Sequence, residues 1–379
     1  MDQHSKSELI RSYRKRYRKA TKREKTQIIS QIVDATGYCR KHVIRALNRD
    51  LEVPKRIRRR KSSRYAHLYN TLRKVWAAGN FVCGKRLQPF LPELVRSLKR
   101  HKEIRISKED ETLLLSASAA SIDRLLAPAR REMSLKGRST TKPGTLLKSQ
   151  IPIRTFADWD DNRPGFLEID LVAHCGDTTA GEYINTLSMT DVATGWTVCA
   201  AFMGRSERFC VQAIEQTKPS FPFQVLGVDS DNGSEFINAH LKRYCERNSI
   251  TFTRGRANKK NDSCYIEQKN WDVVRKMIGY ARLDTHEQLD TLRRIHNLMA
   301  LYQNYFQPSR KLLKKQRIGA RVRKTYDTAQ TPAQRLLSRK DTPAPTKKLL
   351  RSTFRDLNPA QLLRTINDLI SALYHPELE

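Results

Sequence analysis

Apolar positions in the first third of the chain recur at helical spacing. Ile28, Ile29, Ile32 and Val33 form one stripe; Thr36-Gly37 interrupts it, and Val43, Ile44 and Leu47 resume it. The second stripe leaves Arg40, Lys41, His42, Arg45 and Arg49 on its opposite face. Two short helices, a Gly-containing turn and a basic second helix are the pattern of a helix-turn-helix, whose second helix enters the major groove. Helical spacing returns over residues 65–78 (Leu68, Leu72, Val75, Trp76) and 90–98. It appears again in Lys108–Leu115 and residues 121–126, which flank the small turn Ser116-Ala117-Ser118. That pair predicts a second helix-turn-helix, with Ser118 or Ser121 as N-cap.

The period shortens after residue 155. Phe166–Ala173, residues 183–189 and residues 196–202 read as strands, the last two joined by the turn formers of residues 190–195. A helix over 206–217, a strand over 223–228, a helix over 234–247, a strand over 250–253, a loop over 254–262 and a helix over 263–280 follow. This order predicts an α/β core: a mixed five-stranded sheet, three antiparallel strands then parallel ones, flanked by helices. Leu289, Leu292, Ile295, His296 and Met299 predict a helix over 286–306. Residues 311–324 are basic and broken at Gly319; residues 325–348 are rich in Thr, Pro and Lys, and 359–373 reads as a last helix.

At 379 residues the chain is long enough for about two to four domains. The expected division is a helix-turn-helix domain (1–53), a basic linker (54–64), a second helical DNA-binding domain (65–135), a connector (136–154), an α/β core (155–285) and a basic helical C-terminal region (286–379). With 39% apolar and 8% aromatic residues, a mostly disordered chain is excluded. No apolar stretch reaches the roughly 18 residues of a membrane span and the start is polar, so a soluble, cytoplasmic protein is expected. The seven cysteines contain no CxxC and the histidines no HxxxH, which argues against zinc and for free thiols in a reducing compartment.

Charge refines this picture. The formal net charge is +33, yet residues 155–285 carry 15 Lys and Arg against 18 Asp and Glu. Residues 1–154 carry 39 against 13, and residues 286–379 carry 18 against 8. A slightly acidic middle between basic arms is the electrostatic footprint of a polyanion partner. Arg58, Arg59 and Arg60, within the basic run of residues 55–61, are expected to lie along DNA, as are Arg254, Arg256, Lys259 and Lys260 in the loop before the 263–280 helix.

Three acids stand at telling places. Asp170 interrupts the apolar run of the first strand, where an ionised carboxylate is costly unless paired or bound to a cation. Asp231 follows the fourth strand in Asp231-Asn232-Gly233, at the kind of strand end where open α/β sheets place their sites. Glu267 lies early in the last helix of the block, after Asn261-Asp262-Ser263. Glu168 and Asp229 share the strand faces of Asp170 and Asp231; Glu168 is expected to be salt-bridged or edge-exposed, Asp177 and Asp191 to be turn formers, and His174 to be structural.

With Asp170, Asp231-Asn232-Gly233 and Glu267 35 intervening residues later, the block resembles the catalytic core of retroviral-type integrases and bacterial insertion-sequence transposases, the DDE enzymes with an RNase H-like fold. The resemblance covers roughly residues 155–285. It implies that the three carboxylates are catalytic and hold two Mg2+ ions, for which Mn2+ can substitute, Asp170 bridging them. It implies double-stranded DNA, element ends and target, as partner, and a homo-oligomer on that DNA. It implies hydrolysis of a phosphodiester to free a 3′-hydroxyl, then transfer of that hydroxyl into target DNA. Asn270 fits the integrase pattern, whereas Val274 stands where many relatives carry a cation; Arg275 follows it as a candidate DNA contact. A DNA-binding regulator with an inactive core, or an RNase H-type nuclease, are the alternative readings.

Overall fold

The computed structural model describes residues 1–48, 63–132, 163–204, 207–230, 239–254, 274–318 and 321–374. They form two compact units, divided between Ser63 and Arg64.

The first unit contains three helices, α1 (Gln3–Lys19), α2 (Lys22–Thr36) and α3 (Arg40–Leu47). Asp2 caps α1 by accepting from the Ser5 backbone N–H at 2.7 Å, and Thr21 and Glu24 form a capping box on α2. Gly37, at φ 67°, ends α2 in the left-handed conformation that glycine adopts without strain. Ile28, Ile29 and Ile32 meet Val43 and Leu47, as their spacing predicts, but Ile10 and Tyr17 of α1 complete the cluster. The Arg14 side chain donates to the Ala46 carbonyl through Nε and Nη2 (3.1 and 2.8 Å), satisfying an otherwise orphaned acceptor in the last turn of α3.

The second unit opens with α4 (Tyr69–Ala78), α5 (Gly84–Arg100), α6 (Lys108–Leu115), α7 (Ala119–Leu125) and α8 (Ala127–Glu132). Ser107 and Ser118 cap α6 and α7, and the Gly84 backbone N–H donates to Asp123 at 2.7 Å, tying α5 to α7. Sequence spacing indicates a helix only from about residue 90, yet α5 starts at Gly84 and runs through Pro89 and Pro92. An interior proline costs a helix about 3 kcal/mol. The stripe Leu87, Phe90, Leu91, Leu94, Val95 and Leu98, wholly buried, offsets that cost at roughly 1.5–3 kcal/mol per side chain.

Then come β1 (Phe166–Ala173), β2 (Ile184–Asp191), β3 (Thr197–Met203), α9 (Glu207–Thr217), β4 (Gly227–Ser230), α10 (Ala239–Arg247) and β5 (Thr251–Arg254). The strands form one mixed sheet in the order β3-β2-β1-β4-β5. β1 to β3 are antiparallel and β4 and β5 run parallel to β1, the arrangement expected from the element order. Beyond the sheet lie the helical turn Lys276–Ile278, α11 (His286–Phe306), β6 (Leu312–Ile318), β7 (Arg321–Tyr326), α12 (Pro332–Ser338), α13 (Ala344–Asp356) and α14 (Pro359–Tyr374).

α9 covers one face of the sheet, where Phe209 stacks on Phe202 at 5.5 Å; α11 covers the other. Buried apolar side chains from Tyr65 to Leu373 form one continuous cluster, so α4 to α8, the sheet and the C-terminal helices share a core. Polar ties reinforce it: the Tyr302 hydroxyl donates to the Ala78 carbonyl at 2.7 Å, and Arg364 pairs with Glu103 at 2.6 Å. Within the C-terminal region, expected to be basic and helical, the basic stretch expected to break at Gly319 forms β6 and β7, an antiparallel hairpin.

Candidate active site

β1 is the middle strand, hydrogen-bonded to antiparallel β2 on one side and to parallel β4 on the other. Because side chains alternate, Leu167 and Ile169 point to one face while Glu168, Asp170, Val172 and His174 point to the other. Register extends that second face sideways: Glu168 stands beside Thr190 and Asp229, Asp170 beside Ser188, and Val172 beside Thr186. Thr190 pairs in turn with Thr197, and Asp229 with Thr253. One face of the central sheet is therefore polar beneath a covering helix, an expensive arrangement unless its groups are bonded.

Most of them are. Thr190 and Thr197 share a hydroxyl hydrogen bond at 3.0 Å, and the Thr253 hydroxyl donates to the Asp229 carboxylate at 2.6 Å. Asn304 of α11 clamps β3, accepting from the Thr197 N–H and donating to its carbonyl, both at 2.8 Å. The Thr186 hydroxyl lies between the Nε2 atoms of His174 and His296, 2.9 Å from each. Burial pushes both imidazoles down to about 3, the closeness of His296 and the Arg275 charge adding to the effect at His174. Both rings are therefore neutral at pH 7, and buried with so low a proton affinity they suit packing and not proton transfer.

The acids of this face differ in access. Glu168 and Asp229 are each only 1% exposed, whereas Asp170 is half-buried and reaches the surface. Glu168 is thus a buried acid of the middle strand, not the edge-exposed one that sequence allows. The Asp170 carboxylate accepts from the Leu171 N–H at 2.8 Å. Ser188, its register partner on β2, has a buried hydroxyl with no hydrogen-bond partner among the described residues. On the other side β4 is described as far as Ser230, which pairs with Ile169. Asp231 and Glu267 lie outside the described residues, as do Arg58, Arg59, Arg60, Arg256, Lys259, Lys260 and Asn270. Among the described residues, no group of three His, Cys, Asp or Glu is placed to hold a metal ion.

Arg275 lies beside β1. Its Nη2 donates to the Ala173 carbonyl at 2.9 Å, and the guanidinium sits 4.8 Å from the centre of the Tyr280 ring. Burial lowers its proton affinity, opposed by Tyr280, Cys175 and Asp170. It is thus tied to backbone near Asp170, while Val274 before it is wholly buried. Arg282, a residue without any local sequence signal, ties down the loop after β1 through the carbonyls of Cys175, Thr178, Ala180 and Glu182 (2.9–3.4 Å). Asp191 ends β2 as the expected turn former: it is buried and accepts from the Gly165 and Thr194 N–H groups and the Thr194 hydroxyl (2.6–2.8 Å). Arg254 ends β5, and in the first unit Arg40, Lys41 and Arg45 are exposed on α3.

No protein-family model matches the chain. The protein y4rM of Sinorhizobium fredii, described as uncharacterized, is 39% identical over 332 residues, covering 87% of this chain and 95% of its own. Among solved structures, the catalytic core domain of BIV integrase aligns at 16% identity and a TM-score of 0.30, over 45% of this chain and 91% of that one. The catalytic core domain of HTLV-2 integrase in complex with magnesium aligns at 14% identity and a TM-score of 0.29, over 38% and 90%.

Proposed function

This chain belongs to the same family as y4rM of Sinorhizobium fredii, and we propose that it is a DNA transposase with an integrase-type catalytic core. The observation that carries this reading is the position of Asp170. It is the accessible carboxylate in the middle of β1, and one peptide bond beyond the neighbouring Ile169–Ser230 pair the chain continues into Asp231-Asn232-Gly233. Glu267 follows at the spacing that the resemblance to integrases and insertion-sequence transposases requires.

In this reading Asp170, Asp231 and Glu267 hold Mg2+. The donor set fits: carboxylate oxygens are the ligands a hard cation takes, and Asp170 has the access to solvent and substrate that Glu168 and Asp229 lack. Bound divalent ions would activate the attacking oxygen and neutralise charge on the leaving one. The chain's own task is to fix that constellation. Asp170 is set by the ladders of β2 and β4; Arg275 holds the strand's exit, and the neutral His174–Thr186–His296 cluster stiffens the sheet beneath. The exposed cations of α3 and the basic stretch around residues 55–61 retain the DNA.

The test is Mg2+-dependent nicking and strand transfer on DNA carrying the element's own ends. Asp170→Asn, Asp231→Asn and Glu267→Gln should each abolish both reactions and leave DNA binding nearly intact. Wild-type rates in any of the three would defeat the assignment. Cleavage of an RNA–DNA duplex in preference to end DNA would point to a hybrid nuclease instead.

A further inference from the structure

β6 and β7 form a two-stranded ribbon that belongs to no larger sheet among the described residues. Seven residues at about 3.4 Å each make it roughly 24 Å long. Leu313, Lys314, Gln316 and Arg317 of β6 are exposed, as are residues 322–326 of β7. No acidic residue occurs between Leu312 and Tyr326. An isolated two-stranded ribbon is marginally stable at best, and the crowding of like charges along this one makes it worse.

Its base, by contrast, is fixed. The Lys311 ammonium donates to the carbonyls of Val192 and Ala193 in the β2–β3 turn (2.5 and 2.6 Å). Asp327 accepts from the Lys311 N–H at 2.6 Å and pairs with Arg335 of α12 at 2.6 Å. Ser309 and Gln330 exchange backbone bonds below it. The acid at the stem is thus matched locally, and the ribbon beyond it carries only positive charge.

We propose that this ribbon is a DNA-binding arm that enters a groove of duplex DNA. Charge selects a polyanion, and the distribution of charge selects the groove. The register puts Arg317 and Lys324 on one side of the ribbon and Lys314 and Arg323 on the other. A membrane or a flat protein surface would meet one side only, whereas a ribbon inside a groove meets phosphates along both walls. The major groove of B-DNA admits a two-stranded β-ribbon. Exposed Leu313 and Val322 lie between the cations and are suited to apolar contact with sugars and thymine methyls. The inference deepens the transposase reading by naming a DNA contact outside the helical N-terminal unit.

The experiment uses the full chain and a fluorescent DNA duplex, with affinity measured across a salt series. Replacing Lys314, Arg317, Arg323 and Lys324 together by Gln should weaken binding at least tenfold at moderate salt. It should also reduce the slope of log affinity against log salt by about 2 to 4, roughly one for each phosphate no longer neutralised. The charge-retaining set K314R, R317K, R323K and K324R should keep the wild-type slope. A photo-crosslinker at position 322 of the otherwise unaltered chain should capture the duplex, a readout that does not depend on the variants folding. An unchanged slope in the Gln set, tighter binding to single strands than to duplex, or stronger retention on phosphatidylglycerol vesicles would each overturn the proposal. Only binding is read, so absence of nicking would defeat the catalytic reading and leave this one standing.

Discussion

Arg275 donates from Nη2 to the carbonyl of Ala173, three residues beyond Asp170 on the same strand. The bond closes the exit of β1 where the ladder to β2 ends, at Ala173↔Asn185. Stacking on Tyr280 and partial burial hold the guanidinium in that pose. A side chain so committed acts through the strand, as a positioning residue. Arg275→Ala should therefore slow nicking by tenfold or more while changing DNA affinity less than about twofold. Arg275→Lys, with a shorter reach and no planar fork, should recover only part of the rate. A large loss of affinity with an unchanged turnover would instead assign Arg275 to the DNA backbone.

The buried His174–Thr186–His296 cluster makes stability depend on pH. Both imidazoles have folded-state values near 3, against about 6.5 for an unfolded histidine. Above pH 6.5 both states leave them neutral and nothing is lost. As pH falls from 6.5 toward 3 the unfolded chain takes up protons the folded one refuses, and stability drops by about 1.4 kcal/mol per pH unit for each histidine. Urea midpoints at pH 7 and pH 5.5 measure this. His296→Gln should flatten the dependence, and an equal slope in that variant would show that the acid sensitivity arises elsewhere.

Asp191 supports the turn between β2 and β3 by accepting from the N–H groups of Gly165 and Thr194 and from the Thr194 hydroxyl. Removing a buried acceptor strands its donors at roughly 1–3 kcal/mol each. With three donors stranded, Asp191→Ala should thus cost at least about 3 kcal/mol, read as a lower thermal midpoint. Asp191→Asn keeps acceptor oxygen and should fall between the two. Equal midpoints for the wild type and the Ala variant would contradict this account of the turn.

Much of this architecture could be read from local pattern, and the exceptions have identifiable causes. β1 to β5 were predictable because alternation and turn formers such as Thr194-Gly195 are local signals. α1 escaped because only Ile10 and Tyr17 of its seventeen residues are buried, too thin a stripe to stand out among lysines and arginines. The first turn of α5, before Phe90, carries only Leu87 of its buried stripe, and the cations on both sides of the β6–β7 ribbon leave no apolar alternation to announce strands. At the site, Asp170 was legible as a carboxylate in an apolar run. Arg275 shows in the sequence only as a candidate DNA contact and Arg282 not at all, since both bond to backbone carbonyls about 100 residues away and no spacing rule encodes such contacts.

The acids of the polar sheet face can be separated by experiment because their surroundings differ. Asp170 is half-buried, whereas Glu168 and Asp229 are sealed and Asp229 already accepts a short bond from Thr253. Asp170→Asn should leave the thermal midpoint within a degree or two of wild type, since an exposed edge of the carboxylate loses little. It should reduce nicking by at least about a thousandfold, the scale expected when a group that stabilises transition-state charge is removed. Mg2+ should raise the midpoint of the wild type by mass action on the folded state and fail to do so in the variant. Asp229→Asn should behave in the opposite way, lowering the midpoint while retaining a Mg2+ response and most of the rate. If Asp229→Asn instead abolished both nicking and the Mg2+ shift while Asp170→Asn did neither, the accessible acid would be a bystander and the buried row the metal site.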